Sequence, residues 1–233
     1  MKRIIILLAF LSASLWSQDF GYTYTLLTEY RSIGFGYHFQ DFRASNSNPL
    51  SDTAKLGFST AMPVIEYRQL NGRLAVGYQQ YKDIFGTERE AFSVYGETHS
   101  DLALDGSAKI KPSVFIPIVV SANYMRAESA VRTVKSFDIG SLGIGTGLKY
   151  RYFERSFGIQ ASVVGSLYYA SEGFSVEYGS QTSLVGEVQT VFSDILFEGI
   201  VVGYRYETQR WNMSSSVLDY QRWYHGGFIG LLF

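Results

Sequence analysis

The stretch of the sequence best suited to acid–base chemistry is Glu-Thr-His-Ser-Asp at 97–101. In an extended chain, side chains at alternate positions point the same way, so Glu97, His99 and Asp101 would share one face. A carboxylate that orients an imidazole is an arrangement that general-base catalysis uses. The same three side chains can equally form a hydrogen-bonded group in a polar interior. This second interpretation is favoured, because the sequence offers no recognisable nucleophile paired with a base.

A glycine-rich run, GSLGIGTG at 140–147, is the second feature that could do chemistry. Its spacing differs from the G-x-G-x-x-G of dinucleotide-binding loops, and no helical pattern follows it. Gly143, Gly145 and Gly147 would lie on one face of a strand, where we expect them to leave room for bulky neighbours. The chain has no cysteine, which excludes disulfides, thiolate metal ligands and a thiol nucleophile. The sequence therefore predicts no catalytic residue, no cofactor and no metal site.

Composition excludes a further class of function. The 233-residue chain has a formal net charge of −1, without the basic excess of a nucleic-acid-binding protein. Aromatic residues are abundant at 16%, with 18 Tyr and 17 Phe. We expect no nucleic-acid partner, and a fold that uses many tyrosines and phenylalanines.

Most of the chain alternates with a period of two, which indicates β-strands. In the segment 139–152, positions 142, 144, 146 and 148 are Leu, Ile, Thr and Leu, whereas 143, 145 and 147 are all Gly. Asn-Gly at 71–72 and Asp-Gly at 105–106 are hairpin signals, and FERS at 153–156 and SDI at 193–195 indicate two more short turns. The predicted strands are 30–43, 54–69, 73–85, 89–104, 107–126, 136–152, 156–170, 180–192, 196–210 and 217–233. The count falls to eight if 54–69 and 107–112 are misassigned.

The N-terminal residues have the layout of a secretory signal peptide. Lys2 and Arg3 precede an apolar run from Ile4 to Leu15, which is shorter than the roughly 20 residues of a spanning helix. We expect cleavage near Ser17, which divides the chain into a signal peptide at 1–17 and one β domain at 18–233.

The length of the predicted strands indicates which solvent their apolar faces meet. They run to about 13–16 residues, whereas strands of soluble proteins usually have about 5–6 and membrane-spanning strands need about 9–11. Lipid cannot hydrogen-bond the backbone, so strands can span a membrane only in a closed barrel. The sequence therefore predicts an all-β fold, a closed antiparallel transmembrane β-barrel of about ten strands. A secreted soluble β-sandwich is the alternative.

The last residues, GGFIGLLF at 226–233, end on a phenylalanine with apolar residues at every second position. This ending resembles the assembly signal of bacterial outer-membrane β-barrel proteins, and the whole chain resembles small barrels of the OmpA/OmpX/OmpW class. The resemblance implies an outer-membrane location in a Gram-negative bacterium, with membrane lipids, lipopolysaccharide and the barrel-assembly machinery as partners. Phe233, Leu231 and Ile229 would carry the assembly signal.

If the apolar faces point to lipid, the polar faces point into the lumen. The predicted lumen-facing residues are His38, Gln40, Asp83, Glu97, His99, Asp101, Lys149, Arg151, Glu187, Arg205, Glu207 and Arg222. A structural network that plugs the barrel is the favoured role, and a narrow pore for small solutes or ions is the second. A barrel hydrolase acting on lipid or peptide remains the enzymatic alternative.

Two further expectations concern the barrel surface. Arg210, Trp211 and Arg222 could contact lipopolysaccharide head groups at the rim. His225 shares a face with Phe233 and would be a poor neighbour for lipid, unless a bulge at Gly226–Gly227 turned it away.

Overall fold

The computed structural model describes residues 30–45, 57–82, 86, 88–104, 112–129, 136–154, 156–173, 177–196, 198–214 and 219–233. The predicted signal peptide and most of the longer polar loops lie outside these ranges. So do Asp83 and the Asp-Gly turn at 105–106.

Ten antiparallel strands make up the described chain, as the alternating pattern predicts. They are β1 (Arg31–Ala44), β2 (Phe58–Gln69), β3 (Gly72–Lys82), β4 (Glu88–Ala103), β5 (Ser113–Ser129), β6 (Phe137–Phe153), β7 (Phe157–Glu172), β8 (Tyr178–Ser193), β9 (Gly199–Met213) and β10 (Tyr220–Leu232). No helix long and apolar enough to cross a membrane is found in the ranges given above.

The strands close into a barrel, with each strand paired to its sequence neighbours and β1 paired to β10. The closing pair runs without interruption from Ser32↔Leu232 to Ala44↔Tyr220. A further backbone hydrogen bond joins the Phe233 amide to the Arg31 carbonyl at 3.1 Å. Closure removes every free strand edge. The prediction of a closed ten-stranded barrel is confirmed, and the β-sandwich and eight-strand alternatives are wrong.

The predicted strand ends differ from the observed ones by a few residues in most cases. The predicted start of β5 at 107 lies outside the described residues, within which the strand begins at Ser113, paired with Arg151. The predicted ends at 54, 85 and 217 likewise lie outside the described residues.

The outer face of the barrel is apolar in its middle and aromatic at both ends. Mid-barrel residues such as Ile144, Leu167 and Val163 are more than half exposed. One aromatic girdle lies toward the long-loop end and one toward the short-turn end; the first contains Tyr78, Phe92, Tyr124, Tyr169, Tyr178 and Trp223, and the second Tyr67, Tyr150, Tyr152, Phe157, Phe192 and Phe233. An apolar band between two aromatic girdles, an even strand number and short turns at one end are the architecture of outer-membrane barrels.

An arginine placed in the middle of this band should destabilise the barrel strongly. Ile144 is 68% exposed near the centre of β6. In lipid vesicles, Ile144→Arg should reduce the free energy of unfolding by about 2–4 kcal/mol, because the charge would lie at the bilayer midplane. Urea titration of the refolded protein measures this change.

Ser180→Arg is the matched control, because Ser180 lies on the outer face of β8 close to the long-loop end. There the same charge should cost roughly 0–1 kcal/mol. Equal effects of the two substitutions would contradict the assigned orientation of the barrel faces.

Candidate functional site: a charged belt inside the barrel

The alternation of each strand brings the predicted lumen-facing residues into the barrel interior. All of those that the structure describes lie on the inner faces of their strands, and Asp83 lies outside the described residues. Together with neighbours that the sequence interpretation missed, they form a group that we call the charged belt. Its members are His38, Glu66, Arg68, Arg73, Glu97, His99, Asp101, Lys149, Arg151, Glu187, Arg205, Glu207 and Arg222.

Arg205 is the centre of the charged belt, because it contacts carboxylates from three different strands. Its guanidinium lies 2.9 Å from Glu207 on its own strand and 2.8 Å from Glu187 on β8. It also lies 3.2 Å from Glu97 on β4. Strands β4 and β9 are five positions apart in a ring of ten, so the contact with Glu97 spans the barrel diameter.

A second arginine ties another wall to the same group. Arg68 on β2 donates to Glu66 at 2.7 Å and reaches Glu187 on β8 at 2.5 Å. Glu66 also accepts a hydrogen bond of 2.8 Å from Arg73 on β3. Sequence reasoning overlooked Glu66, Arg68 and Arg73. These residues alternate with outward-facing apolar residues, which could have identified them as lumen-facing. However, Met62 and Val64 lie on the same inner face of β2, so this face does not look polar in the sequence.

The remaining charged residues form a smaller group on the wall that contains β4 and β6. Lys149 on β6 contacts both carboxylate oxygens of Asp101 at 3.0 and 2.9 Å. Arg151 donates to the same carboxylate at 2.8 Å and to the side chain of Asn71 at 3.1 Å. His99 connects this group to Glu97, with 3.6 Å between its Nε2 and the carboxylate.

The surroundings of His99 bear on the general-base interpretation. Its Nδ1 lies 2.9 Å from the Lys149 ammonium, and its Nε2 faces Glu97. Both ring nitrogens therefore face charged side chains of the belt. This arrangement holds the imidazole in a fixed network, on a strand segment that runs toward the short-turn end.

Glycines on the inner face make space for the large side chains, as expected from the GSLGIGTG run. A methyl group added at Gly143 would lie 2.5 Å from the ring of Tyr168. Tyr168 on β7 in turn accepts a hydrogen bond of 2.9 Å from Ser121 on β5, over the intervening strand β6. At Gly203, an added methyl would lie 2.3 Å from the ring of Phe228. The glycine run is thus a packing feature of the lumen.

An apolar layer closes the long-loop end of the lumen, and sequence reasoning did not foresee it. We call it the aromatic cap; it consists of Phe42, Phe58, Tyr81, Phe137, Trp211 and Tyr220. Phe42 on β1 and Phe137 on β6 have ring centroids 5.0 Å apart, although β1 and β6 are on opposite walls. Phe42 also stacks on Tyr220 at 4.6 Å. The rings therefore extend across the full diameter.

A smaller apolar cluster lies at the short-turn end. It contains Tyr30, Phe153, Val191, Val201, Phe228 and Leu232. Gln189 donates a hydrogen bond of 2.5 Å to the Tyr30 hydroxyl. Burial raises the pKa of Tyr30, which precedes β1, to about 12, so its hydroxyl stays neutral at physiological pH. The charged belt is thus enclosed between two apolar layers.

Two expectations about individual residues are wrong. Trp211 is only 1% exposed in the cap and Arg222 only 4% exposed in the belt, so neither can contact head groups at the rim. Both are in phase with the inner faces of their strands, which places them in the lumen. Arg210 lies on the outer face, as expected.

No bulge turns His225 away from the outer face in the described strand β10. Pairing of β10 with β1 and β9 continues through Gly226 and Gly227, so His225 stays on the outer face. There its Nδ1 lies 2.9 Å from the Tyr204 hydroxyl, and its ring stacks on Phe39 at 5.6 Å. These aromatic partners accommodate the imidazole without any distortion of the strand.

Comparison with solved structures found matches of low sequence identity and low TM-score. The outer membrane protease OmpT from Escherichia coli is 9% identical with a TM-score of 0.45, covering 93% of this chain and 99% of that chain. The N-terminal β-barrel domain of Pseudomonas aeruginosa OprF is 16% identical with a TM-score of 0.29, covering 88% and 99%. The translocator domain of the autotransporter NalP from Neisseria meningitidis is 10% identical with a TM-score of 0.33, covering 99% and 96%.

No family model and no curated protein matches the chain. At these identities and TM-scores, none of the likenesses assigns an activity to it. The structure shows a closed barrel whose lumen is filled by the charged belt and the aromatic cap.

Removal of Arg205 should be among the most damaging substitutions in the barrel. Arg205→Met would leave Glu97, Glu187 and Glu207 without their shared cation, and loss of one partner from a buried ion pair costs about 3–5 kcal/mol. Urea unfolding in lipid vesicles, followed by tryptophan fluorescence, measures the loss.

Arg126→Met serves as the control, because Arg126 pairs with Glu128 on the outer face, where both side chains are about 40% exposed. An exposed pair contributes only about 0–1 kcal/mol. If Arg205→Met were as mild as this control, the belt would not be the electrostatic centre of the lumen.

Proposed function

We propose that the chain is an integral outer-membrane β-barrel protein with a sealed lumen and a structural role in the membrane. One observation supports this proposal above the others: side chains from opposite walls meet inside a barrel whose outer face is apolar. The N-terminal 17 residues would direct export, and the barrel at 18–233 would insert after passage through the inner membrane.

The outer face supports the membrane location. Phe35 on β1 and Ile144 on β6 are each 68% exposed, and these two strands lie on opposite sides of the barrel. Soluble monomers rarely expose contiguous apolar patches larger than a few hundred Å². Here the apolar band surrounds the whole molecule, which favours a hydrocarbon solvent.

The contents of the lumen favour a structural role over a pore. Arg205 and Glu97 meet across the diameter at 3.2 Å, and the Phe42 and Phe137 rings meet across it at 5.0 Å. Barrels of about eight strands have interiors that side chains can fill, and this ten-stranded barrel uses long arginines and aromatic rings to the same end. A water-filled passage would require both the charged belt and the aromatic cap to open.

The hydrolase alternative has weaker support. His99 is the catalytic candidate, and its ring nitrogens face Lys149 and Glu97 inside the filled lumen. A general base must be within hydrogen-bond reach of the proton that it removes, either directly or through one water molecule. The layers that enclose the belt would keep a lipid or peptide substrate away from this imidazole.

Partners follow from the surface. Arg43, Lys82, Arg126 and Arg210 lie on the outer face toward the long-loop end, where they could meet the phosphates of lipopolysaccharide. Phe233, Leu231 and Ile229 are exposed at the opposite end, on and directly after the last strand, β10, which closes the barrel against β1. We propose that these three residues are what the barrel-assembly machinery recognises.

Single-channel recording tests the proposed sealed lumen. The refolded protein should insert into a planar bilayer without steady conductance, because the belt and the cap both span the lumen. Heat-modifiable migration on gels would confirm that the inserted protein is folded. Steady, ion-selective openings would contradict the structural role and favour the narrow pore.

Deletion of Phe233 tests the proposed assembly signal. The truncated protein should accumulate unfolded in the periplasm, with surface levels reduced several-fold in a protease-accessibility assay. Phe157→Ala is the matched control, because Phe157 is another outer-face aromatic at the same end of the barrel. Normal surface levels after the deletion, or an equal loss in the control, would rule out a specific terminal signal.

A further inference from the structure

Arg222 differs from the other basic residues of the charged belt. It is 4% exposed on the inner face of β10, and its guanidinium lies 4.6 Å from the centre of the Tyr224 ring. Among the belt residues that the structure describes, it is the basic side chain that forms no ion pair with a carboxylate. Glu207 acts on Arg222 only from beyond ion-pair distance, and a buried cation without a close counter-charge is unfavourable.

The charged belt as a whole has more basic side chains than carboxylates. Six basic side chains, Arg68, Arg73, Lys149, Arg151, Arg205 and Arg222, lie among five carboxylates, Glu66, Glu97, Asp101, Glu187 and Glu207. With all of them ionised, the enclosed belt carries one positive charge more than its carboxylates balance. None of the described residues that form the aromatic cap or the short-turn cluster carries a carboxylate.

A small cavity lies beside Arg222. It has a volume of about 20 Å³ and is lined by His38, Val64, Arg73, Ala75, Ser93, Tyr95, Asn123, Gln209, Arg222 and Tyr224. None of these lining residues has a carboxylate side chain. This volume holds one water-sized or slightly larger sphere.

Several buried donors at this cavity lack a partner. Among the described residues, Arg73 Nη1, Arg222 Nε and Asn123 Nδ2 find no hydrogen-bond acceptor. His38 Nε2, a donor or an acceptor depending on the tautomer, also lacks a hydrogen bond, although it lies 3.3 Å from Glu66. Gln209 Oε1 is an unpartnered acceptor in the same lining, and its amide is fixed by a hydrogen bond of 2.7 Å from Nε2 to Glu207. Three donors, two of them on arginines, against one acceptor favour an anion over a cation.

We propose that this cavity binds one monatomic anion of chloride size, held by Arg73, Arg222 and Asn123. The anion would supply the missing negative charge and accept the orphaned hydrogen bonds. A water molecule could accept some of these bonds, but it would leave the excess charge in place. Polyatomic anions such as sulfate exceed the space available. The site depends on the belt alone and does not require the proposed structural role in the membrane.

Bromide is the probe, because it replaces chloride and scatters anomalously. Crystals of the wild-type protein grown in sodium gluconate and soaked in sodium bromide should show one anomalous peak within the cavity, near Arg222 and Arg73. A cavity that holds only water, with no bromide peak, would overturn the proposal. This test uses the unaltered protein, so it does not depend on any variant that folds poorly.

A solution experiment tests the energetic role of the anion. At constant ionic strength, replacing gluconate by bromide should raise the midpoint of thermal unfolding in detergent, since a ligand that binds only the folded state stabilises it. Each tenfold increase in bromide above its dissociation constant should add roughly 3–5 °C for a chain of this size. Constant ionic strength separates binding from general screening.

Arg222→Gln should abolish this bromide dependence, and Asn123→Ala should weaken it. Arg126→Gln, at the exposed outer-face pair, should leave it unchanged. If the midpoint of the wild-type protein did not depend on bromide, or if Arg222→Gln retained the full dependence, the proposed site would be excluded.

Discussion

The contact of Arg205 with three carboxylates is the interaction on which the lumen depends. Glu97, Glu187 and Glu207 come from three strands, and each lies within 3.2 Å of one guanidinium. A planar group with five donors is suited to this task, whereas a lysine would offer a single ammonium on a flexible stem. Charges withdrawn from water must be compensated where they lie. The barrel can therefore be narrow and filled only because its walls carry opposite charges at matching heights.

Closure of the sheet and filling of the lumen follow from the same alternation. Along each strand, every second residue faces the apolar exterior of the barrel, and the residues between them face the lumen and contact each other. Along the axis, the interior changes from the aromatic cap to the charged belt and then to a second apolar cluster. Buried ion pairs are not inherently more stabilising than apolar packing, but they are costly to break. The belt thus fixes the register of opposite walls, while the cap supplies apolar burial.

Much of this organisation could be predicted from the sequence, because a period of two assigns every residue of a strand to a face. The strand count, the closed barrel and the inward orientation of residues such as Lys149 and Arg205 required no further information. The contacts between opposite walls could not be predicted, since they depend on stagger and strand tilt. The aromatic cap was missed for a related reason: Phe42 and Trp211 lie on inner faces that were expected to be polar. Glu66 and Arg68 were missed because Met62, an apolar residue, lies on the same inner face of β2, so the sequence of this face does not look polar.

Thiol accessibility inside the lumen tests the central claim most directly, and the absence of cysteine makes it practicable. Ser121 is fully buried on the inner face of β5, so Ser121→Cys is a small change at the centre of the filled region. In the folded barrel, this thiol should be unreactive toward a small water-soluble maleimide and should react once urea unfolds the protein. Ser180→Cys, on the exposed outer face, should react in both states. Rapid labelling of Cys at position 121 in the folded barrel would show that water fills the lumen, contrary to a sealed interior held by the charged belt.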